Sequence, residues 1–187
     1  MERKTYFQCM DLSYKNNLKK FLHKKKLLFD NKMYPNNFLG FSFIPTIKYS
    51  PKIYLKLRNQ NYILKNSKIK KKISLKDHQL FIKKYFLLPR LDYLLINNKN
   101  NEILCGVGIK LTKYGFEINK FVSKKHQKKG LAKKSIVKMI NFFNKQFGKK
   151  TLISLTKVDN KRNIFLNLSI GFKIAKVESN FIIMEKK

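Results

Sequence analysis

The sequence predicts an α/β domain with one central sheet, and three observations support this fold class. Short apolar segments typical of strands recur in the second half of the chain, and Leu91 to Ile96 is apolar on both faces, as in a central strand. After Gly130, apolar residues recur at the helical intervals of 4, 4, 3 and 4 positions. The predicted order is helix, helix, three strands, helix, strand, helix and two strands.

The first 40 residues differ from the rest, and we divide the chain into a basic N-terminal extension, 1–40, and a domain, 41–187. Apolar residues near helical spacing predict an amphipathic helix in the extension. They are Leu18, Phe21, Leu22, Leu28 and Phe29. Such a helix either lies on an anionic surface, a nucleic acid or a membrane, or docks on the flank of the domain. We expect docking.

Two helices are predicted before the first strand. The first covers Ile53 to Arg58. The second begins at Ser74, a good N-cap residue, and Asp77 three positions later completes an acidic variant of a capping box.

The remaining elements follow from turn and stop signals. The polar run Asn97 to Asn101 predicts a hairpin turn, and Gly130 and Gly148 bound the long helix. Asn160 opens a further helix that ends at Gly171. The other predicted strands are Glu102 to Leu111, about Tyr114 to Ser123, Leu152 to Thr156, Ile174 to Val177 and Phe181 to Met184.

The chain of 187 residues carries a formal net charge of +33, which raises the question of nucleic-acid binding. Only four of its 43 basic residues are arginine, and lysine, asparagine and isoleucine are abundant, as in proteins from AT-rich genomes. A dedicated nucleic-acid binder usually carries more arginine for bidentate contacts. We therefore interpret the charge mainly as genome bias, although its field attracts polyanionic ligands, including nucleotide cofactors.

Neither cysteine indicates a metal site or secretion. Cys9 and Cys105 have no second cysteine or histidine at metal-ligand spacing, so no zinc site is expected. Met1 to Lys4 leads into no apolar signal segment, and the chain contains no apolar run of 18 residues. We expect a soluble cytoplasmic protein without a transmembrane segment.

The most informative segment is the predicted strand-to-helix turn at residues 121–134. The N-terminus of a helix presents unpaired N–H groups and the positive end of its dipole, which suit a pyrophosphate. Gly130 allows close approach to the backbone, and Ala132 keeps the next turn slim. Four lysines add positive charge: Lys128, Lys129, Lys133 and Lys134.

Two motifs in this order resemble those of the GNAT superfamily of acyl-CoA N-acyltransferases. The first is Gln127, Gly130 and Ala132. The second is Asn160 with Gly171-Phe172 eleven residues later. The resemblance covers about Leu57 to Met184. It implies a mixed, mostly antiparallel central sheet that is splayed at the cofactor site and flanked by helices.

The resemblance also implies acetyl-CoA as co-substrate, without a metal. The pantetheine arm would run along Phe121, Val122 and Ser123, and Asn160 would touch the cofactor beyond the splayed strand. The pyrophosphate would bind the amides of the turn that follows Gln127. These belong to Lys129, Gly130, Leu131, Ala132, Lys133 and Lys134.

The sequence departs from the family at two positions. Many members carry a tyrosine four residues before the glycine of Gly171-Phe172, as the acid toward the leaving thiolate, but this chain has Asn167. Acetyltransferases of ribosomal proteins tend to carry a glutamate five residues before the motif asparagine, where this chain has Leu155. The resemblance therefore supplies no complete acid–base pair.

Segments around Arg58 and Asn66, and around the acidic-histidine pair Asp77-His78, resemble bacterial N-acetyltransferases of nucleotide-linked 4-amino sugars in the pseudaminic-acid pathway. In that interpretation Arg58 and Asn66 line the acceptor pocket, and the arginine suits a nucleotide phosphate. Alternatively, Arg58 pairs with a helix end and Asn66 caps a turn.

Three side chains are candidates for a catalytic base. Glu117 lies on the strand that would carry the thioester, but it could equally form a surface or cross-strand ion pair. His78 either faces the acceptor or is a solvated helix residue. His126 precedes Gln127 and suits a simple turn residue near phosphate. Water could also take the proton from an amine of modest pKa.

Three functional hypotheses remain from the sequence. The first is an acetyltransferase for an amine on a nucleotide-linked sugar, and the second has a protein or peptide amine as acceptor. The third is a basic nucleic-acid-binding protein that keeps the fold without catalysis. A homodimer is compatible with each hypothesis.

Overall fold

The computed structural model describes residues 12–38, 40–67 and 70–187. Residues 1–11 of the predicted extension, with Cys9, lie outside the described residues. The helices are α1 (Leu12–Asp30), α2 (Pro51–Arg58), α3 (Asn61–Lys65), α4 (Leu75–Lys84), α5 (Leu131–Phe147) and α6 (Lys161–Leu168). The strands are β1 (Phe41–Pro45), β2 (Arg90–Asn97), β3 (Ile103–Thr112), β4 (Gly115–Val122), β5 (Leu152–Lys157), β6 (Lys173–Glu178) and β7 (Phe181–Lys186).

The seven strands form one sheet in the order β1-β2-β3-β4-β5-β7-β6. Only the β4–β5 pair is parallel; the other neighbours are antiparallel. This confirms the predicted mixed, mostly antiparallel sheet. Two elements were not predicted from the sequence. One is β1, which pairs Phe41 to Asn97 at one end and Pro45 to Tyr93 at the other, and the second is the one-turn helix α3.

One face of the sheet is covered by α1 and α5. The Phe21 ring of α1 stacks on Phe147 of α5, with ring centroids 5.0 Å apart, and lies 6.0 Å from the Phe116 ring of β4. Phe21 and Leu28 are each only 1% exposed. The amphipathic helix therefore docks on the domain, as expected. A division of the chain after residue 40 remains a prediction.

A buried lysine lies within this packing. Lys25 of α1 donates from Nζ to the carbonyl oxygens of Tyr85 and Leu88, at 2.5 and 2.9 Å. Its Nζ also lies 3.5 Å from the centroid of the Tyr85 ring. Burial lowers the pKa of Lys25 to about 7. The ammonium group is thus held by the main chain that follows α4.

The opposite face is covered by α2 and α4. Leu94 and Ile96 of β2 lie there beneath Tyr54 and Leu57 of α2. The start of α4 has the predicted capping box, in which Ser74 Oγ accepts the Asp77 amide at 3.0 Å and the Asp77 side chain accepts the Ser74 amide. Polar residues of β2, β3 and β4 also lie on this face, and they belong to the candidate site described below.

Candidate functional site

The strands β4 and β5 diverge. They pair only at Phe116–Leu152 and Glu117–Ile153, although β4 continues to Val122 and β5 to Lys157. On its other side β4 is paired with β3 along its whole length. The resulting gap between residues 118–122 of β4 and 154–157 of β5 is called the wedge here. It confirms the predicted splay of the sheet.

The antiparallel ladder determines which backbone groups of β4 face the wedge. The Ser123 amide donates to the Leu104 carbonyl at 2.9 Å. Because pairing groups alternate along an antiparallel strand, odd-numbered residues of β4 bond to β3. Lys120 and Val122 therefore direct their N–H and C=O groups into the wedge.

The three residues predicted to bind pantetheine differ in this respect. Val122 faces the wedge with its backbone, and its carbonyl accepts a hydrogen bond of 3.1 Å from the Tyr62 hydroxyl of α3. Phe121 and Ser123 bond to β3 through their backbones, and the Phe121 ring lies against Gly106, where an added Cβ would be 2.3 Å from a ring carbon. The sequence analysis did not identify Tyr62.

The turn into α5 leaves main-chain donors free. Lys128 and Gly130 both adopt left-handed conformations, with φ of +63° and +69°. Among the described residues, no backbone acceptor is found for the amides of residues 129–133, whereas the Lys134 amide already donates to the Gly130 carbonyl at 3.1 Å. The free amides therefore end at residue 133, one residue earlier than predicted.

Gly130 has two properties that suit an anion site. Its positive φ disfavours any residue with a Cβ, and a Cβ placed there would meet no described atom within 4 Å. The glycine is thus not required by packing within the chain. The space beside Gly130 is open to a ligand, and the free amides at the N-terminus of α5 adjoin that space.

The start of α6 is tied to this turn. Arg162 Nη1 donates to Gln127 Oε1 at 2.8 Å, which holds the predicted motif glutamine from across the wedge. Asn160 caps α6, since its Oδ1 accepts the Asn163 amide at 3.2 Å. Arg162 was missed by the sequence analysis because its partner is 35 positions away.

Asn167, at the position where the sequence resemblance implies a tyrosine, lies behind the wedge and is completely buried. Its Nδ2 donates to Ser154 Oγ at 2.9 Å and to Thr156 Oγ1 at 3.3 Å. Its Oδ1 accepts a hydrogen bond of 2.7 Å from Lys120 Nζ. Burial lowers the pKa of Lys120 to about 7. Lys120 was not predicted as a site residue, although it shares the inward-facing alternation of Phe116 and Ile118.

The face of the sheet under α2 and α4 carries two buried carboxylates. Glu117 is 9% exposed and lies 3.2 Å from Lys110 Nζ on the neighbouring strand. Asp92 of β2 accepts a hydrogen bond of 2.7 Å from Arg90 Nη2. Both carboxylates are therefore paired with a cation, and Glu117 forms the cross-strand ion pair that the sequence left as one alternative.

His78 and Arg58 lie on the same face, around Tyr54. His78 is only 2% exposed, and its ring stacks 4.9 Å from that of Tyr54, so the alternative of a solvated histidine is wrong. Burial lowers the pKa of His78. Within the described residues, His78 Nε2 and Arg58 Nη1 are buried without a hydrogen-bond partner. A bound acceptor could supply the missing groups.

Two other candidates are engaged in local structure. Asn66 Nδ2 donates to the Tyr62 carbonyl at 3.0 Å at the end of α3, which fits the alternative that Asn66 caps a turn. His126 Nε2 lies 3.1 Å from Glu102 Oε1, so this histidine ties the turn to the β2–β3 hairpin.

Two features are absent from the part of the chain that the structure describes. No helix there is both long enough and apolar enough to cross a membrane. No three histidine, cysteine, aspartate or glutamate side chains there lie close enough to share a metal ion.

The sequence matches no protein-family model and no curated protein. Solved structures do match the fold. Spermidine N-acetyltransferase of Vibrio cholerae, in complex with CoA and spermine, is 12% identical, with a TM-score of 0.66 over 78% of this chain and 93% of that one.

Two further solved structures have a similar fold. A Bordetella pertussis protein that is assigned to the GNAT family of acetyltransferases is 14% identical, with a TM-score of 0.68 over 81% of this chain and 98% of that one. The N-acetyltransferase PseH of Campylobacter jejuni is 16% identical, with a TM-score of 0.61 over 80% and 99%. Together with the splayed sheet, these likenesses show that the chain has the fold of the GNAT acetyltransferases.

Proposed function

We propose that this protein is an acyl-CoA-dependent N-acetyltransferase. One observation carries the proposal: the wedge between β4 and β5 leads directly to the N-terminus of α5, where the amides of residues 129–133 find no backbone acceptor among the described residues. A strand edge and a helix N-terminus placed end to end match a ligand that has amide groups followed by a diphosphate.

Acetyl-CoA fits these groups by chemistry. The amides of its pantetheine arm can pair with the open backbone groups of Lys120 and Val122, like an added strand. Its diphosphate can accept from the free amides beyond Gly130, with Lys128, Lys129 and Lys133 as nearby cations. At the Val122 carbonyl, the arm would replace the hydroxyl of Tyr62.

The acceptor amine would enter from the face covered by α2 and α4. Glu117 and His78 both lie on this face, and these are the residues we propose to handle its proton. The lowered pKa of His78 keeps the ring neutral at pH 7, so that a ring nitrogen can accept a proton. Glu117 shares its charge with Lys110, and we assign it mainly to orienting the amine.

We further propose a nucleotide-linked amino sugar as the acceptor. Arg58, whose buried Nη1 lacks a partner among the described residues, suits a phosphate of such an acceptor. The net charge of +33 attracts a nucleotide sugar and repels a polyamine. The sequence resemblance around Arg58, Asn66 and Asp77-His78 supports the same class.

The test has two stages. Isothermal titration with CoA should show binding, and acetyl-CoA with a nucleoside-diphosphate-linked 4-amino sugar should then release CoA thiol and form an amide. Spermidine and an N-terminal peptide serve as alternative acceptors, and turnover only with the peptide would transfer the assignment to a protein amine. Absence of CoA binding, combined with nanomolar RNA binding that weakens steeply with salt, would overturn the enzyme in favour of a nucleic-acid-binding protein.

A further inference from the structure

Lys120 combines three properties that no other described lysine shares. Its side chain projects from β4 beyond the last β4–β5 pair, its Nζ binds Asn167 at 2.7 Å, and it lies beside the backbone groups that face the wedge. Asn167 is the residue that replaces the tyrosine of related enzymes. The amine of Lys120 is thus hydrogen-bonded to Asn167, the residue that stands where related enzymes carry their tyrosine acid.

The surroundings of Lys120 are uncharged. Its described partner, Asn167, is itself held by Ser154 and Thr156, and Thr156 Oγ1 also accepts from Asn163 Nδ2 at 2.7 Å. Among the described residues, no carboxylate lies within ion-pair distance of Lys120 Nζ, and burial is the cause of its lowered pKa. Nothing in this network stabilises the ammonium form by opposite charge.

The hydrogen bonds of Lys120 are also incomplete. An ammonium group has three donors, and the described residues provide one acceptor, Asn167 Oδ1. Lys25, which is completely buried, donates to two carbonyls and lies over an aromatic ring. Lys120 is only partly buried, so its two remaining donors are open to solvent and available to a group that enters the wedge.

We propose that Lys120 is the proton donor to the departing thiolate of CoA, and that Asn167 positions its amine. The inference rests on the proposed acetyl transfer. The role of acid toward the leaving thiolate, which a tyrosine fills in related enzymes, thus falls to a lysine on β4. Lys120 is then a catalytic residue, and Asn167 is a positioning residue.

The proton balance of the step is complete. The neutral acceptor amine attacks the thioester carbonyl, the C–N bond forms, and the C–S bond breaks with its electron pair on sulfur. Lys120 gives one ammonium proton to that sulfur and becomes a neutral amine. The excess proton on the new amide nitrogen leaves to His78 or water, and Lys120 regains a proton from water before the next cycle.

Burial assists this chemistry. A lysine in water holds its proton too firmly to be an effective acid near neutral pH, whereas a pKa of about 7 makes the protonated and neutral forms similarly populated there. Transfer of the proton to sulfur also removes a charge that the wedge solvates poorly. The same desolvation that costs stability therefore makes the group a stronger acid.

The first experiment uses CoA itself and needs no acceptor. The ultraviolet absorbance of the thiolate is titrated against pH for free CoA and for CoA bound to the wild-type protein. A neighbouring ammonium group should favour the thiolate, with about tenfold more thiolate in bound than in free CoA near neutral pH. An ordinary thiol titration in the wild-type complex would overturn the proposal.

Two variants separate charge from proton donation. Lys120→Arg keeps a positive charge but does not release a proton near neutral pH, so it should retain the thiolate signal and lose at least about 100-fold in kcat. Lys120→Met should lose both. Lys173→Met, on the exposed strand β6, is the matched control and should change neither.

The pH dependence supplies an independent readout. Wild-type kcat should fall as the pH rises through the pKa of Lys120 in the complex, because the neutral amine cannot donate a proton. Asn167→Asp places a carboxylate next to the amine and should move this fall to higher pH. Unchanged kcat and pH profile in Lys120→Met, with CoA still bound, would refute the role of Lys120. Loss of CoA binding by the wild type would refute the proposed function instead.

Discussion

The two edges of strand β4 differ in how far they are paired with a neighbouring strand. Toward β3 the ladder runs from Gly115 to Val122 without interruption. Toward β5 it ends after Glu117, and five residues of β4 continue without a partner strand. The closed edge joins one half of the sheet, whereas the open edge exposes donors and acceptors that the fold itself leaves unused.

This difference indicates which backbone groups of β4 are available to a ligand. Buried backbone groups are nearly always paired in folded proteins, so an open edge inside a sheet calls for another partner. Here the described substitute is a single contact, the Tyr62 hydroxyl of α3 on the Val122 carbonyl. Lys157 Nζ of β5 also donates to the Lys65 carbonyl of α3 at 2.6 Å, so α3 is tied to both sides of the wedge.

The largest expected effect concerns hydrogen exchange at the two edges. In the free protein, the amides of Lys120 and Val122 should exchange at least about 1000-fold faster than those of Asn119 and Phe121, which bond to β3. Saturating CoA should slow the first pair and leave the second unchanged. Equal protection of all four amides in the free protein would show that the wedge is closed.

A second comparison uses the two ends of α5. Gly130→Glu should weaken CoA binding at least about 100-fold in calorimetry, because it adds a carboxylate and a side chain at the proposed anion site. Gly148→Glu is the control for strain: Gly148 has a φ of +74° and open space, and its ψ of 167° makes a side chain there more strained than at Gly130. Equal loss of affinity in both variants would mean that the effect is general strain on the helix ends.

The closed edge can be tested through its glycines. A Cβ at Gly108 would lie 2.8 Å from the Leu91 carbonyl, whereas a Cβ at Gly106 would meet the movable ring of Phe121. Gly108→Ala should therefore lower the free energy of unfolding by about 2 kcal/mol, and Gly106→Ala by about 1 kcal/mol. Denaturant unfolding would measure both, and the reverse order would contradict this description of the closed edge.

The smallest effect concerns pH and compares two lysines, the completely buried Lys25 and the partly buried Lys120. The pKa values of Lys25 and Lys120 are both lowered to about 7, so above pH 7 the unfolded chain holds protons that the folded chain has released. Stability should therefore rise between about pH 7 and 10, by at least about 4 °C in Tm. The rise should shrink in Lys120→Met, and a Tm that is flat over this range would contradict both lowered pKa values.

Local patterns predicted most of the fold. The capping box at Ser74, the glycine stops of α5 and the Asn160 cap of α6 were all identified from residue type and spacing. Strand β1 was not assigned, because its five residues lie in a proline-punctuated segment and gain their identity only by pairing with β2. In the candidate site, too, local features were predicted and long-range contacts were not. The turn at Gly130 was predicted, but the contacts of Tyr62, Arg162 and Lys120 were not.

The sequence by itself determined the order of most elements, the glycine turn before α5 and the asparagine at position 167, because each depends on residues close together in the chain. Only the tertiary structure decided that β4 and β5 diverge after two pairs, and that Lys120 meets Asn167 across 47 positions. The physical reason is that the charge state of a lysine depends on solvent exclusion and on its partners. Both are set by strands and helices that meet only when the chain has folded.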